Sequence, residues 1–127
     1  MNYDEIQERL KEIKIEDFIW IIYIGIIFFS WYSNSLETKY FKYNDLESKE
    51  KYREITIIIF IILLIVYYYF LKDSIDSIKK LKETDSDKKK LLVYLSFIAS
   101  LLIFISGIIF LFIAISDEDV DVELAFN

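Results

Sequence analysis

The sequence predicts an all-α fold, an integral membrane three-helix bundle running up, down and up with a short N-terminal amphipathic helix. Two observations carry that reading. Residues 91–116 run 26 positions without a charged side chain, and shorter uncharged runs at 18–36 and 55–71 repeat the pattern. All fifteen Lys and Arg and all twenty-one Asp and Glu fall outside those runs, the segregation expected where lipid excludes ions. At ~1.5 Å rise per residue the longest run makes about 39 Å of helix, enough to cross a hydrocarbon core of roughly 30 Å with some tilt. A soluble helical core is the competing explanation, but soluble helices keep a polar face and these runs are apolar on all sides. The length of 127 residues suits one membrane domain spanning 1–127.

The first element is expected over residues 2–14, where Tyr3, Ile6, Leu10 and Ile13 recur at helical spacing and Glu5, Glu8, Arg9, Lys11 and Glu12 fill the other face. Such a helix either lies on the membrane surface or caps the end of the bundle. With only Arg9, Lys11 and Lys14 basic, the cap is favoured, because anionic lipid selects a more cationic face. Asp4, Glu5 and Glu8 stand where a secretory signal carries basic residues, so the first span is expected to stay attached.

The first span is placed at 18–36, starting after Glu16 and Asp17, whose charge suits the positive end of the helix dipole. Trp20 near one end and Trp31 with Tyr32 near the other mark lipid interfaces, and the helix is expected to continue towards Tyr43. Asn44, followed by Asp45 and Glu47, reads as a helix start of the capping-box kind with Asn in place of Ser or Thr. With no Pro anywhere in the chain, one rod over 45–83 is expected, of which 55–71 lies in lipid. Tyr67, Tyr68 and Tyr69 mark its other interface.

Residues 84–87 form the expected turn, with Asp85 or Ser86 capping the third helix. That helix opens on Lys88, Lys89 and Lys90, the wrong charge for a helix N-terminus by about 0.3 to 1 kcal/mol. Attraction of Lys to an anionic leaflet is worth about 1 kcal/mol per residue, so Lys88, Lys89 and Lys90, with Lys79, Lys80 and Lys82, are read as topology signals and contacts to membrane lipids. Ten basic residues lie before the first span and between the second and third, against five in the other connection and the C-terminal segment together. The positive-inside rule then puts the N-terminus in the cytoplasm and the acidic tail at 117–127 outside. Thirteen of the basic residues are Lys and twenty-five positions are Ile, a bias that suits a low-GC bacterium and its cytoplasmic membrane.

The residues that usually carry chemistry are scarce. There is no Cys and no His, hence no thiolate or imidazole metal ligand, no disulfide and no near-neutral proton shuttle, and no cofactor is expected. Secondary transport needs ionisable groups or broken helices at the midplane, and Gly25 and Gly107 are the only glycines. A nucleophile such as Ser100 has no base at its depth, so no enzyme and no small-molecule substrate are expected. Acids at 117, 119 and 121 resemble the start of a calcium loop, but Val122 occupies the position that needs Gly and the twelfth ligand is missing. The alternation of Val120, Val122, Leu124 and Phe126 leaves two readings of the tail, a strand that adds to a partner's sheet or a solvated end, and the second is favoured. Nucleic acid is not an expected partner, since the net charge is −6 and each Lys cluster adjoins acids or lipid.

One pattern remains. Ser100, Gly107 and Ala114 recur every seven residues on the third helix, with Ser96 one turn before Ser100. Small residues in register let another helix approach closely. The partner is either another span of the same chain, or a second copy or larger membrane protein, and the sequence leaves both open. A thin serine row could also line a pore, although Ser side chains in helices usually bond their own backbone. The leading expectation is a small non-enzymatic multi-pass membrane protein acting through helix contacts as a subunit, regulator or immunity-type protector. The alternative is a pore former of the holin kind.

Overall fold

The computed structural model describes residues 2–116. They form three α-helices, α1 (Tyr3–Tyr43), α2 (Leu46–Lys79) and α3 (Asp87–Ser116), with no strand among the described residues. The tail at 117–127 lies outside them. The chain divides into two compact units, Met1–Ile55 and Thr56–Asn127.

In the first unit, α1 starts where Asn2 Oδ1 accepts a hydrogen bond from Glu5 N at 2.9 Å, with Asp4 and Glu5 in the first turn. This is an N-cap reinforced by acids at the positive end of the dipole. The separate amphipathic helix expected at 2–14 does not exist as an element: α1 runs unbroken through it for 41 residues. Nothing between Lys14 and Phe18 stops a helix. Arg9 Nη1 also reaches Glu12 at 3.0 Å and Glu16 at 3.3 Å, fastening two turns across the expected boundary. Glu16 and Asp17 are therefore interior helix residues.

Buried and half-buried positions on α1 include a series at 12, 16, 19, 23, 26, 30, 33, 37 and 40, widened by neighbours at 22, 25 and 36. Within that series steps of four and three alternate, close to the 3.5-residue period of coiled-coil packing. The stripe includes polar residues: Ser30 and Ser33 are buried, and Ser30 Oγ has no hydrogen-bond partner.

The turn into α2 corrects the expected capping box. Asn44 is the C-cap of α1, in the left-handed region at φ 51°, ψ 41°, and α2 begins two residues later at Leu46. Asp45 is the cap: its Oδ1 accepts from Glu47 N at 3.2 Å and its Oδ2 from Ser48 Oγ at 2.9 Å. Asn tolerates the left-handed conformation better than most residues, so the two polar residues divide between ending one helix and starting the next. Lys39 Nζ lies 3.5 Å from Asp45, and Lys49 Nζ sits 5.3 Å from the Tyr40 ring centre, tying the two helix ends together.

The second unit is a helical hairpin. Ring and side-chain neighbours pair Phe60 with Phe110, Leu64 and Tyr67 with Gly107, and Tyr68 with Phe104. As one number rises the other falls, so α2 and α3 run antiparallel. The connection is tight. Asp85 Oδ2 accepts from Lys82 N at 2.8 Å, and Ser86 Oγ accepts from Lys89 N at 3.1 Å. Of the two cap candidates it is thus Ser86 that caps α3, while Asp85 closes the turn backwards. The helix α2 ends at Lys79, four residues short of the expected limit, and α3 begins at Asp87, so Lys88 to Lys90 are its first turn.

Two helices, α2 and α3, are long and apolar enough to cross a membrane, with mean hydropathy of 2.5 and 2.9 over their most apolar stretches. The uncharged run of α1 is diluted by Ser30, Ser33, Asn34 and Ser35 and by Trp20, Tyr23, Trp31 and Tyr32.

Candidate functional site

The α2–α3 hairpin gathers most of the residues singled out by sequence. Along α3 the covered positions include 90, 93, 97, 100, 104, 107, 111 and 114, a series in alternating steps of three and four, with 101 and 110 half-buried beside it. They split by size. One heptad position holds Val93, Ser100, Gly107 and Ala114; the other holds Lys90, Phe97, Phe104 and Leu111. Small residues on one row and large on the other allow close approach at one level and filled space at the next.

At Gly107 the close approach is to the same chain. A Cβ there would meet Leu64 Cδ1 and Tyr67 Cδ2 at 3.1 Å each. Ala114 is fully buried and Ser100 half-buried, whereas Ser96, one turn away, is exposed and off the stripe.

Beside this contact lies an apolar cleft of about 310 Å³, lined by Phe60, Leu63, Tyr67, Ile103, Ser106, Gly107 and Phe110. Among its lining residues Phe60 and Phe110 stack on one another, their ring centres 5.7 Å apart and their planes 8° from parallel. The chemistry of the cleft is hydrocarbon contact. Ser106 and Tyr67 supply the only hydroxyls among the residues that line it.

At the connection end a second cavity, about 390 Å³, is lined by Ser77, Ser86, Lys88, Lys89, Leu92, Val93 and Ser96. Lys89 Nζ pairs with Asp85 Oδ1 at 3.2 Å, and Lys90 Nζ donates to Glu83 O at 3.2 Å. The Lys82 N–H first, and the Lys89 ammonium after it, hold the Asp85 carboxyl below its ordinary range. Lys79, Lys80, Lys82, Lys88 and Lys89 are exposed and Lys90 half-buried, all at this one end of the hairpin.

The aromatic residues expected at interfaces are placed as follows. Trp20, Trp31, Tyr32 and Tyr68 are exposed, while Tyr67 and Tyr69 are half-buried. Trp20 meets Tyr23 edge-on at 5.8 Å, and Tyr68 lies 6.0 Å from Phe104. Sequence reasoning missed the buried hydroxyls Ser30, Ser33, Ser48, Thr56 and Ser74. Small hydroxyl side chains among apolar neighbours carry no mark of burial until the covered face is known.

No protein-family model matches this chain, and neither does any curated protein or any solved structure.

Proposed function

We propose that this chain is a small non-enzymatic multi-pass protein of a bacterial cytoplasmic membrane, acting through helix contacts as a subunit, regulator or immunity-type protector. One observation carries the reading: α3 is the most apolar helix and the least covered, with 11 % of its most apolar stretch buried. Leu95, Ile98, Leu102, Ile105, Ile109 and Phe112 all stand exposed. An apolar surface of that extent is not stable in water. Lipid satisfies part of it, and a partner helix of like character fits the rest.

In this reading α1 supplies a third span at 18–36, and the N-terminus and the α2–α3 connection face the cytoplasm. The seven Lys between 72 and 90, the largest basic cluster in the chain, support that orientation. The natural absence of Cys makes the topology directly testable. Asn2→Cys and Ser86→Cys should resist an impermeant maleimide in intact cells, and Asn44→Cys should react. Labelling of Asn2→Cys but not Asn44→Cys reverses the orientation, and the same response from Asn2→Cys and Asn44→Cys removes α1 as a span.

Function is tested by induced expression. Unchanged membrane potential, with stoichiometric co-purification of one larger membrane protein in mild detergent, supports the subunit reading. Collapse of the potential supports the holin-like pore instead.

A further inference from the structure

We propose that the cavity at the α2–α3 connection is a discrete site for the anionic headgroup of one membrane phospholipid. The proposal rests on the membrane reading above and goes beyond it, from general attraction between lysines and lipid to one site with named ligands.

Charge is the first support. The segment 72–90 carries seven Lys against five carboxylates, and it is the one stretch flanking the uncharged runs whose balance is positive: 1–17 holds three basic residues against six acids, 37–54 five against five, and 117–127 none against five. Net charge alone therefore favours this end of the hairpin for an anion.

Shape is the second. Within that segment the two lysines that line the cavity, Lys88 and Lys89, share it with Ser77 on α2, whose O–H donates to Asp73 O at 3.1 Å, and with the Ser86 hydroxyl at the start of α3. The volume, about 390 Å³, is in the range of small-ligand sites. Lys89 shares its charge with Asp85 at 3.2 Å. Lys88 makes no hydrogen bond or ion pair to any described residue, and so holds a full, uncommitted positive charge at the rim. Ser86 Oγ accepts from Lys89 N, which leaves its O–H to donate outward to a phosphate oxygen.

The floor decides between a lipid and a soluble anion. Leu92 and Val93 line the cavity, and Leu91, Leu92 and Leu95 begin the exposed apolar surface that continues down α3. A free phosphate gains nothing from that surface. A phospholipid places its headgroup among the lysines and its acyl chains along the leucines, where the uncharged stretch starts.

The test uses the full chain, isotope-labelled, in neutral detergent micelles. Short-chain phosphatidylglycerol is titrated in, with phosphatidylcholine of equal chain length and inorganic phosphate as separate arms, and amide shifts are followed. Phosphatidylglycerol should give saturable shifts centred on Ser77, Ser86, Lys88, Lys89 and Ser96, with phosphatidylcholine and phosphate at least tenfold weaker. Lys88→Gln should weaken binding about fivefold, the ratio that about 1 kcal/mol per cationic contact implies. Lys79→Gln on the same end should change it less than twofold. Equal shifts from both lipids, or equal losses from Lys88→Gln and Lys79→Gln, overturn a discrete site in favour of diffuse attraction. Equal response to inorganic phosphate overturns the lipid as its occupant. Carbonate-resistant membrane sedimentation of the wild-type chain is read alongside. Retention without saturable binding removes only the site, while release into the supernatant removes the membrane reading itself.

Discussion

Gly107 of α3 lies so near Tyr67 of α2 that a Cβ on the glycine would stand 3.1 Å from the ring and equally near Leu64. Gly25 is the opposite case, since a Cβ there would meet nothing within 4 Å beyond its own helix turn. The two glycines of the chain therefore respond differently to substitution. Gly25→Ala should be neutral or stabilising by up to about 1 kcal/mol through helix propensity. Gly107→Leu should cost about 1 to 3 kcal/mol by overpacking. Detergent-denaturation curves followed by circular dichroism compare them; a Gly107→Leu variant as stable as wild type shows that α2 and α3 do not approach closely there.

Phe60 and Phe110 form a stacked pair along the apolar cleft. Aromatic pairs contribute about 0.5 to 1.5 kcal/mol beyond burial. A double-mutant cycle of Phe60→Leu and Phe110→Leu should return a coupling energy of that size by the same denaturation assay. Additive single effects would separate the rings.

Asn44 occupies the left-handed region at φ 51°. Asn44→Val should destabilise the α1–α2 turn by about 1 to 2 kcal/mol, the cost of that conformation for a residue with a branched Cβ. Asn44→Gly should be tolerated within about 1 kcal/mol. The contrast between the variants, rather than either alone, isolates the backbone from any loss of the amide.

Asp45 and Asp85 govern the pH response of the two turns. The Ser48 hydroxyl holds Asp45 below the ordinary carboxylate range, and the Lys82 N–H does the same for Asp85. A carboxyl with a depressed folded-state pKa adds stability that is complete above its unfolded value, about 3.9. That stability is lost as the pH falls through the lower folded value. Both turns should hold from neutrality to about pH 4 and loosen below it. Carbon-detected titration of the two carboxyls should give midpoints under those of the exposed acids, and Asp85→Asn should remove the acid-side response of the second turn only.

The helical class was legible because lipid-compatible runs need no partner to be recognised: their apolar character is a property of single residues summed along the chain. So were the end of α1 near Tyr43 and the turn before Lys88. Local capping was only half legible. Asn44, Asp45, Asp85 and Ser86 are all residues that favour turns and caps, and which one bonds forward and which back depends on φ and on the neighbouring helix end. The expected boundary between a helix at 2–14 and the uncharged run at 18–36 is absent: a change from amphipathic to uniformly apolar composition looks like a junction, whereas the backbone has no reason to break without Gly, Pro or a competing cap.

The stripe of Ser100, Gly107 and Ala114 shows the same division. Its heptad spacing is a property of sequence, and so is the lysine cluster at 79–90. That Gly107 meets Leu64 and Tyr67 of its own chain, that Ser96 stands off the stripe, and that Lys88 and Lys89 share one cavity with Ser77 were decided by tertiary structure. The physical reason is directional. Exclusion of charge from lipid acts on each residue wherever it points, so it can be read along a line. Packing and binding depend on which faces meet, and a nearly uniform apolar helix does not announce its faces until a neighbour covers one of them.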